Sequence, residues 1–184
     1  RFVMLGGAHF PYLPKKALQF LKVLLNKNID CSLDIINQRD HQLIKEVIKE
    51  VDFPLNKVNL FAIKPQDIFN KLPNYDCGLV FIHTGDWIRM SSPTKIGEYL
   101  AAGLHVIGLE GIEVLDRLSK ETQCVDVLPE NLNYKNFDIY EIKSLIKKIK
   151  DRDRRKNSSD IAKKYFDINN ALEKYLKLYK NKNK

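Results

Sequence analysis

Long apolar runs are missing from this sequence. The longest lies near residues 78–82, far short of the about 20 residues that a membrane-spanning helix needs. No signal-peptide pattern precedes it, so the expectation is a soluble, cytoplasmic protein. Cysteine is scarce and unpaired in number: Cys31, Cys77 and Cys124 share no metal-like spacing, and each lies in or beside an apolar, strand-like run. That excludes a disulfide scaffold and a zinc cluster and predicts three reduced core thiols. Neither a complete GxGxxG nor a P-loop occurs, which removes NAD-dependent and ATPase readings. Asp-x-Asp occurs only as Asp151-Arg152-Asp153, inside a charged stretch that reads as solvated surface. No metal site and no cofactor are therefore expected. An excess of positive charge is absent from residues 1–140, which hold 16 Lys and Arg against 17 Asp and Glu, whereas residues 141–184 hold 15 against 6. All of the net +8 belongs to the C-terminal end. No nucleic-acid-binding motif accompanies it, so nucleic acid is not an expected partner.

What is present is a strict alternation. Apolar strands are predicted at 1–6, 31–36, 57–63, 77–83, 104–108 and 124–128. Helical periodicity fills 14–26, 40–51, a short segment from Pro65, 93–102 and 113–118, and everything after about Tyr140. The strands are apolar throughout rather than at every second residue, as in a parallel sheet covered on both faces. The fold class is therefore α/β: a doubly wound, Rossmann-like parallel sheet with helices on both faces. In such folds ligands bind beyond the carboxyl ends of the strands, which draws attention to the loops after the first, third and fourth strands. The sequence opens in mid-strand at Arg1-Phe2-Val3, as expected for a piece of a longer protein.

Residues 91–108, SSPTKIGEYLAAGLHVIG, carry the chemistry. Ser92 is expected as the N-cap and Pro93 as the first residue of a helix. This leaves free N–H groups around Thr94 and Lys95 at the positive end of the helix dipole, where a phosphate sits well. Glu98 lies three residues beyond Lys95, on the same face. A cation at the helix mouth with a carboxylate one turn deeper suits a ligand with phosphates at one end and vicinal hydroxyls at the other, a nucleoside diphosphate. The bland alternative is a capped helix with a surface Lys–Glu pair. The Gly6-Gly7 pair after the first strand would let backbone approach such a ligand, and Gly103 is predicted to end the helix.

The order Asp76-Cys77-Gly78-Leu79-Val80, a polar loop, then Ser92-Pro93-Thr94-Lys95-x-Gly97-Glu98-Tyr99-Leu100-Ala101-x-Gly103-x-x-Val106-Ile107 resembles the C-terminal domain of the retaining, two-Rossmann-domain (GT-B) glycosyltransferases, the group 1 or glycogen-synthase-like family. The resemblance covers about residues 74–112 closely and Gly6 through Leu72 more loosely. It implies a nucleotide-sugar donor, most commonly a UDP sugar, with Glu98 on the ribose hydroxyls. Gly6, Gly7, Ser92, Thr94 and Lys95 would lie around the diphosphate, and backbone at Ala62 and Ile63 would meet the base. Lys95 and Glu98 are then the catalytic candidates, and His83, Asp86, Met90 and Ser91 the candidate sugar contacts. It also implies a hexosyltransferase whose acceptor, a glycan or glycolipid, is held by an N-terminal domain, so that this piece alone is inactive. Cell-surface polysaccharide or glycolipid synthesis is the implied setting. Three features depart from the family. Met90 stands where a sugar-binding glutamate is usual, and His105 where a proline is usual. The basic pair after the glycine turn is out of register, leaving His9, Lys15 or Lys16 to substitute. The alternative reading is a non-catalytic nucleotide-sugar-binding module.

Two segments are expected: a nucleotide-sugar-binding domain over 1–150 and basic helices over 151–184 that pack on it or on the N-terminal domain. The latter place Leu172, Tyr175, Leu176 and Tyr179 at helical spacing among lysines. An anionic membrane surface is thus an expected partner, with the protein peripheral on its inner face.

Overall fold

A computed structural model describes residues 1–131, 137–151 and 153–182. Arg152 of the Asp151-Arg152-Asp153 triplet therefore lies outside the described residues. Six parallel strands, β1 (Phe2–Leu5), β2 (Leu33–Ile36), β3 (Val58–Phe61), β4 (Cys77–Val80), β5 (His105–Leu109) and β6 (Val125–Leu128), form one sheet in the order β3-β2-β1-β4-β5-β6. The helices are α1 (Pro14–Asn26), α2 (His41–Val51), α3 (Ile68–Lys71), α4 (Asp86–Arg89), α5 (Thr94–Ala101), α6 (Glu113–Glu121), α7 (Ile139–Lys150), α8 (Arg154–Phe166) and α9 (Ile168–Lys182). The doubly wound sheet expected from the alternation is the one observed.

Successive strand residues feed opposite faces, as the pleat requires. Phe2, Met4, Leu33, Ile35 and Leu79 pack under α1, α2 and α7 against Leu18, Leu21, Ile44, Ile48 and Ile142. Val3, Leu5, Val80 and Val106 face the other way, toward Ile96, Tyr99 and Leu100 of α5, Leu115 and Leu118 of α6, and Ala162 of α8. Each such Leu or Ile, fully buried, contributes about 1.5–3 kcal/mol, against about 0–1 kcal/mol for an exposed ion pair. The apolar strands hold this sheet together. Cys31, Cys77 and Cys124 are buried free thiols, as expected, and burial pushes the Cys31 thiol up to about 11.

Helix α5 starts one residue later than expected. Pro93 has φ −58° and ψ 121°, so its ring satisfies the helical φ while its carbonyl turns away from the helical course. Pro93 takes the cap position, Thr94 is the first helical residue, and Ser92 makes no capping bond. The C-terminal end follows the expectation: Gly103 has φ +79°, and its N–H bonds the Leu100 carbonyl at 2.9 Å. Helix α8 lies along α5, close enough that a Cβ on Gly97 would stand 3.0 Å from the Phe166 ring. Among the described residues no helix is long and apolar enough to cross a membrane. On α9, Leu172, Tyr175, Leu176 and Tyr179 are exposed.

Candidate functional site

The strand order reverses between β1 and β4, because the chain winds outward through β2 and β3 and then returns to the other side of β1. A crevice must open there beyond the carboxyl ends. It is a cavity of about 290 Å3 lined by the ends of β1 and β4, by Pro11 and Tyr12 of the loop after β1, and by Trp87, Ile88, Ser91, Thr94 and Lys95. Tyr99 sets the position of α5 against this crevice. Its ring fills the space a Cβ on Gly78 would need, and its phenol oxygen accepts the Leu5 N–H at 2.7 Å in the core. The last backbone donor of β1 is thereby tied to the helix that supplies Lys95.

Lys95 is half-buried at the mouth of the crevice. Its Nζ donates to the Tyr12 hydroxyl at 2.5 Å and lies 4.4 Å from the centre of that ring. No described carboxylate pairs with it. With Pro93 as cap, the Ile96 N–H is taken by the Pro93 carbonyl at 3.0 Å. The Thr94 and Lys95 amides have no acceptor among the described residues and are the free donors of the first turn. Ser91 adds a hydroxyl oxygen that is buried without a partner among the described residues.

Glu98 stands in an adjoining groove rather than in the crevice itself. That groove, about 490 Å3, runs between α5 and α8 and is lined by Thr94, Gly97, Glu98, Phe69, Lys163 and Phe166. The two hollows share Thr94. The Glu98 carboxylate is half-buried and has no hydrogen-bond or ion-pair partner among the described residues. One helix therefore offers a cation to one hollow and a carboxylate to the next, on either side of its free amides.

The glycine pair lies against the protein's own side chains. Neither Gly6 nor Gly7 takes a left-handed φ; a Cβ on Gly6 would stand 2.6 Å from the Tyr12 ring, and one on Gly7 would overlap the Asp40 carboxylate. Both glycines make room for the protein's own side chains at the crevice edge, where the Ala8 N–H also reaches Asp40 at 3.2 Å. Ala62 is exposed and Ile63 half-buried just past β3, with the Ile63 carbonyl accepting from Gln38 at 3.2 Å. His83, Asp86, Met90 and Ser92 are exposed, Met90 to 80%, and are not among the residues that line the crevice.

The basic residues able to replace the missing pair after the glycine turn are engaged elsewhere. His9 lies 3.4 Å from Asp40, and Lys15 pairs with Glu50. Lys16 donates to the Glu130 carbonyl at 2.5 Å. Glu130, which the sequence reading missed, also meets Thr84 and lies 3.8 Å from His83. It follows the last strand and carries no local motif, so nothing in the sequence marks it. Tyr12 was missed too, although an aromatic in the loop after β1 was a usable signal. Phe10 stacks on His83 with ring centres 5.3 Å apart and touches Trp87 at 5.1 Å, giving the rim an exposed aromatic corner. His105, by contrast, opens β5 at the amino end of the strands, away from the crevice. It is fully buried, and its Nε2 lies 2.8 Å from Asp126, so its departure from the family pattern does not touch the crevice.

No protein-family model matches the sequence, and no curated protein matches it. Solved structures do match in fold. AviGT4, a glycosyltransferase involved in avilamycin A biosynthesis, superposes with a TM-score of 0.69 at 11% identity over 97% of this chain and 49% of its own. A glycosyltransferase from Rickettsia africae ESF-5 gives 0.69 at 18% identity, over 98% of this chain and 47% of its own. HepE of Anabaena, solved with UDP-glucose, gives 0.60 at 14% identity over 98% and 48%. The chain thus spans about half the length of these structures. Its fold is that of the C-terminal half of a GT-B glycosyltransferase.

Proposed function

We propose that this chain binds the nucleotide diphosphate of a sugar donor, a UDP sugar by preference. With an N-terminal acceptor domain, it would transfer the sugar with retention of configuration to a glycan or glycolipid of the cell surface. The observation that carries the reading is the mouth of α5: two amides and an ammonium that, among the described residues, have no hydrogen-bonding backbone or carboxylate partner, facing the switch-point crevice, with a carboxylate one turn on that is likewise unpaired among them.

The diphosphate binds across the Thr94 and Lys95 amides, where the helix dipole favours negative charge. As the bond between the sugar and the diphosphate breaks, charge accumulates on the departing phosphate oxygen. Lys95 exchanges its Tyr12 hydroxyl for that oxygen and stabilises the charge without covalent chemistry. Glu98 accepts hydrogen bonds from the ribose hydroxyls in the adjoining groove, and backbone at Ala62 and Ile63 meets the base. The sugar lies toward the unpaired Ser91 hydroxyl, with His83, Asp86 and Met90 at its rim. Gly6 and Gly7 contribute by seating Tyr12 and Asp40 close to the diphosphate.

Titration calorimetry of this chain against UDP, GDP, UDP-glucose and UDP-N-acetylglucosamine tests the reading. Saturable binding of at least one nucleoside diphosphate is expected, with no sugar transfer by this chain alone. The absence of heat with all four at millimolar concentration overturns it.

A further inference from the structure

Trp87, the sole tryptophan of the chain, is exposed to 66%. Tryptophan is on average a highly buried residue, because its ring carries the largest apolar surface of any side chain. Anchoring the short helix α4 does not account for this one. Its neighbour Ile88 does that, buried in the core at 3% exposure, while the Gly85 carbonyl accepts the Ile88 and Arg89 N–H groups at 2.9 Å each. With Ile88 turned inward, Trp87, about 100° away around the helix, turns outward.

Trp87 lies on the wall of the crevice between β1 and β4, in the same hollow as Thr94 and Lys95. The Phe10 ring backs it, with centres 5.1 Å apart and planes tilted by 35°, and Phe10 is in turn backed by His83 at 5.3 Å. This row holds the indole from one side and leaves the greater part of it uncovered. The indole N–H has no acceptor among the described residues. One hollow thus presents an ammonium, the mouth of α5, an open aromatic surface and an unused neutral donor.

We propose that Trp87 recognises the sugar of the donor, a hexopyranose stacked on the indole with one of its hydroxyls accepting from Nε1. This rests on the reading that the Lys95 end of the crevice takes the diphosphate. A sugar joined to that diphosphate through one oxygen stays in the same hollow, where Trp87 can meet both kinds of surface that a pyranose has. Ring C–H bonds occupy its faces and hydroxyls its edge. The C–H bonds, polarised by the neighbouring oxygens, meet the negative face of the aromatic quadrupole, and the hydroxyls meet the polar tip of the indole. An axial hydroxyl on the stacked face would stand between sugar and ring, so Trp87 also selects among hexoses by the configuration of that face.

With one tryptophan in the chain, indole emission reports on this position alone. The emission is followed while the chain is titrated with UDP, UDP-glucose, UDP-galactose and UDP-N-acetylglucosamine, and affinities are measured in parallel by calorimetry. At least one UDP sugar is expected to shift the emission to the blue beyond what UDP does, since the sugar displaces water from the indole. Trp87→Leu should leave UDP affinity unchanged and lower the ratio of UDP-sugar to UDP affinity about fivefold. Trp87→Phe, which restores a ring without the N–H, should recover part of that ratio. If neither UDP nor any of the three sugars binds, the crevice reading falls and this assignment with it. The assignment alone is overturned if UDP binds but no UDP sugar moves the emission further, or if Trp87→Leu leaves the ratio as it was or weakens both ligands alike.

Discussion

Lys95→Met keeps an unbranched stem against Tyr12 and removes the charge, so it isolates what the ammonium does for a diphosphate. The ammonium sits at the rim of a crevice, half-buried, where an effective dielectric of about 20 gives a unit charge pair at 4 Å about 4 kcal/mol. Against that stands what Lys95 gives up to make the new contact: a hydrogen bond to the Tyr12 hydroxyl and a place near its ring, together worth about 1–2 kcal/mol. The remainder, about 2 kcal/mol, corresponds to about thirtyfold in affinity. Calorimetry should therefore show UDP binding weakened by about that factor in the variant, the loss shrinking as salt rises. Binding of uridine, which carries no phosphate, should be unchanged. An equal loss for UDP and uridine would place the effect in a damaged helix and refute the argument, as would UDP affinity that does not change.

Glu98→Gln should weaken UDP about tenfold by replacing a charge-assisted acceptor with a neutral one, with the melting temperature near wild type because the carboxylate has no described partner to lose; unchanged affinity removes Glu98 from the site. Gly103→Ala should cost about 1–2 kcal/mol in urea denaturation, since residue 103 sits at φ +79° with Arg155 backbone 3.2 Å from the added carbon; an unchanged midpoint contradicts this. Burial alone would raise the Asp126 carboxyl, but hydrogen bonds from His105 and Lys148 outweigh it and hold the group below its ordinary value. Its share of stability is then full above the unfolded value near about 3.9 and is lost as pH falls through the lower folded value. The stability gap between wild type and Asp126→Asn should close on acidification, and a gap that stays constant from pH 7 to pH 2 rejects the pairing. Vesicles of phosphatidylglycerol should co-sediment the protein at low salt and release it at high salt, as the excess of lysine in residues 141–184 requires; no binding at low salt ends that expectation.

The fold was legible because its strands are buried on both faces. Runs such as Cys77-Gly78-Leu79-Val80 leave no polar alternation to mislead, and Gly103 marks the end of α5 by the one conformation that other residues avoid. The start of α5 was misread by one residue because a proline satisfies the helical φ equally well inside the helix and just before it; only ψ separates the two. Lys95 and Glu98 were visible as a spacing on one helix. Their division between two hollows was not, because it depends on α8 and Phe69, which approach from distant parts of the chain. Tyr12 meets Lys95 across 83 residues, and no periodicity reports such a pair. Arg154 lay within a stretch that reads as solvated charge, but it is only 5% exposed, with Asp76 4.0 Å away.

The place of β1 in the sheet also governs how the polypeptide comes into being on the ribosome. The first of these six strands to be synthesised lies at the centre, and its second neighbour, β4, is made 75 residues later, counting from Phe2 to Cys77. Until then β1, β2 and β3 have only each other, and one edge of β1 remains open with its donors and acceptors unpaired. Such an edge invites pairing with another nascent chain. Translation that pauses before Cys77 emerges should therefore leave this polypeptide prone to aggregation and dependent on chaperones, and completion of β4 is the step that releases it.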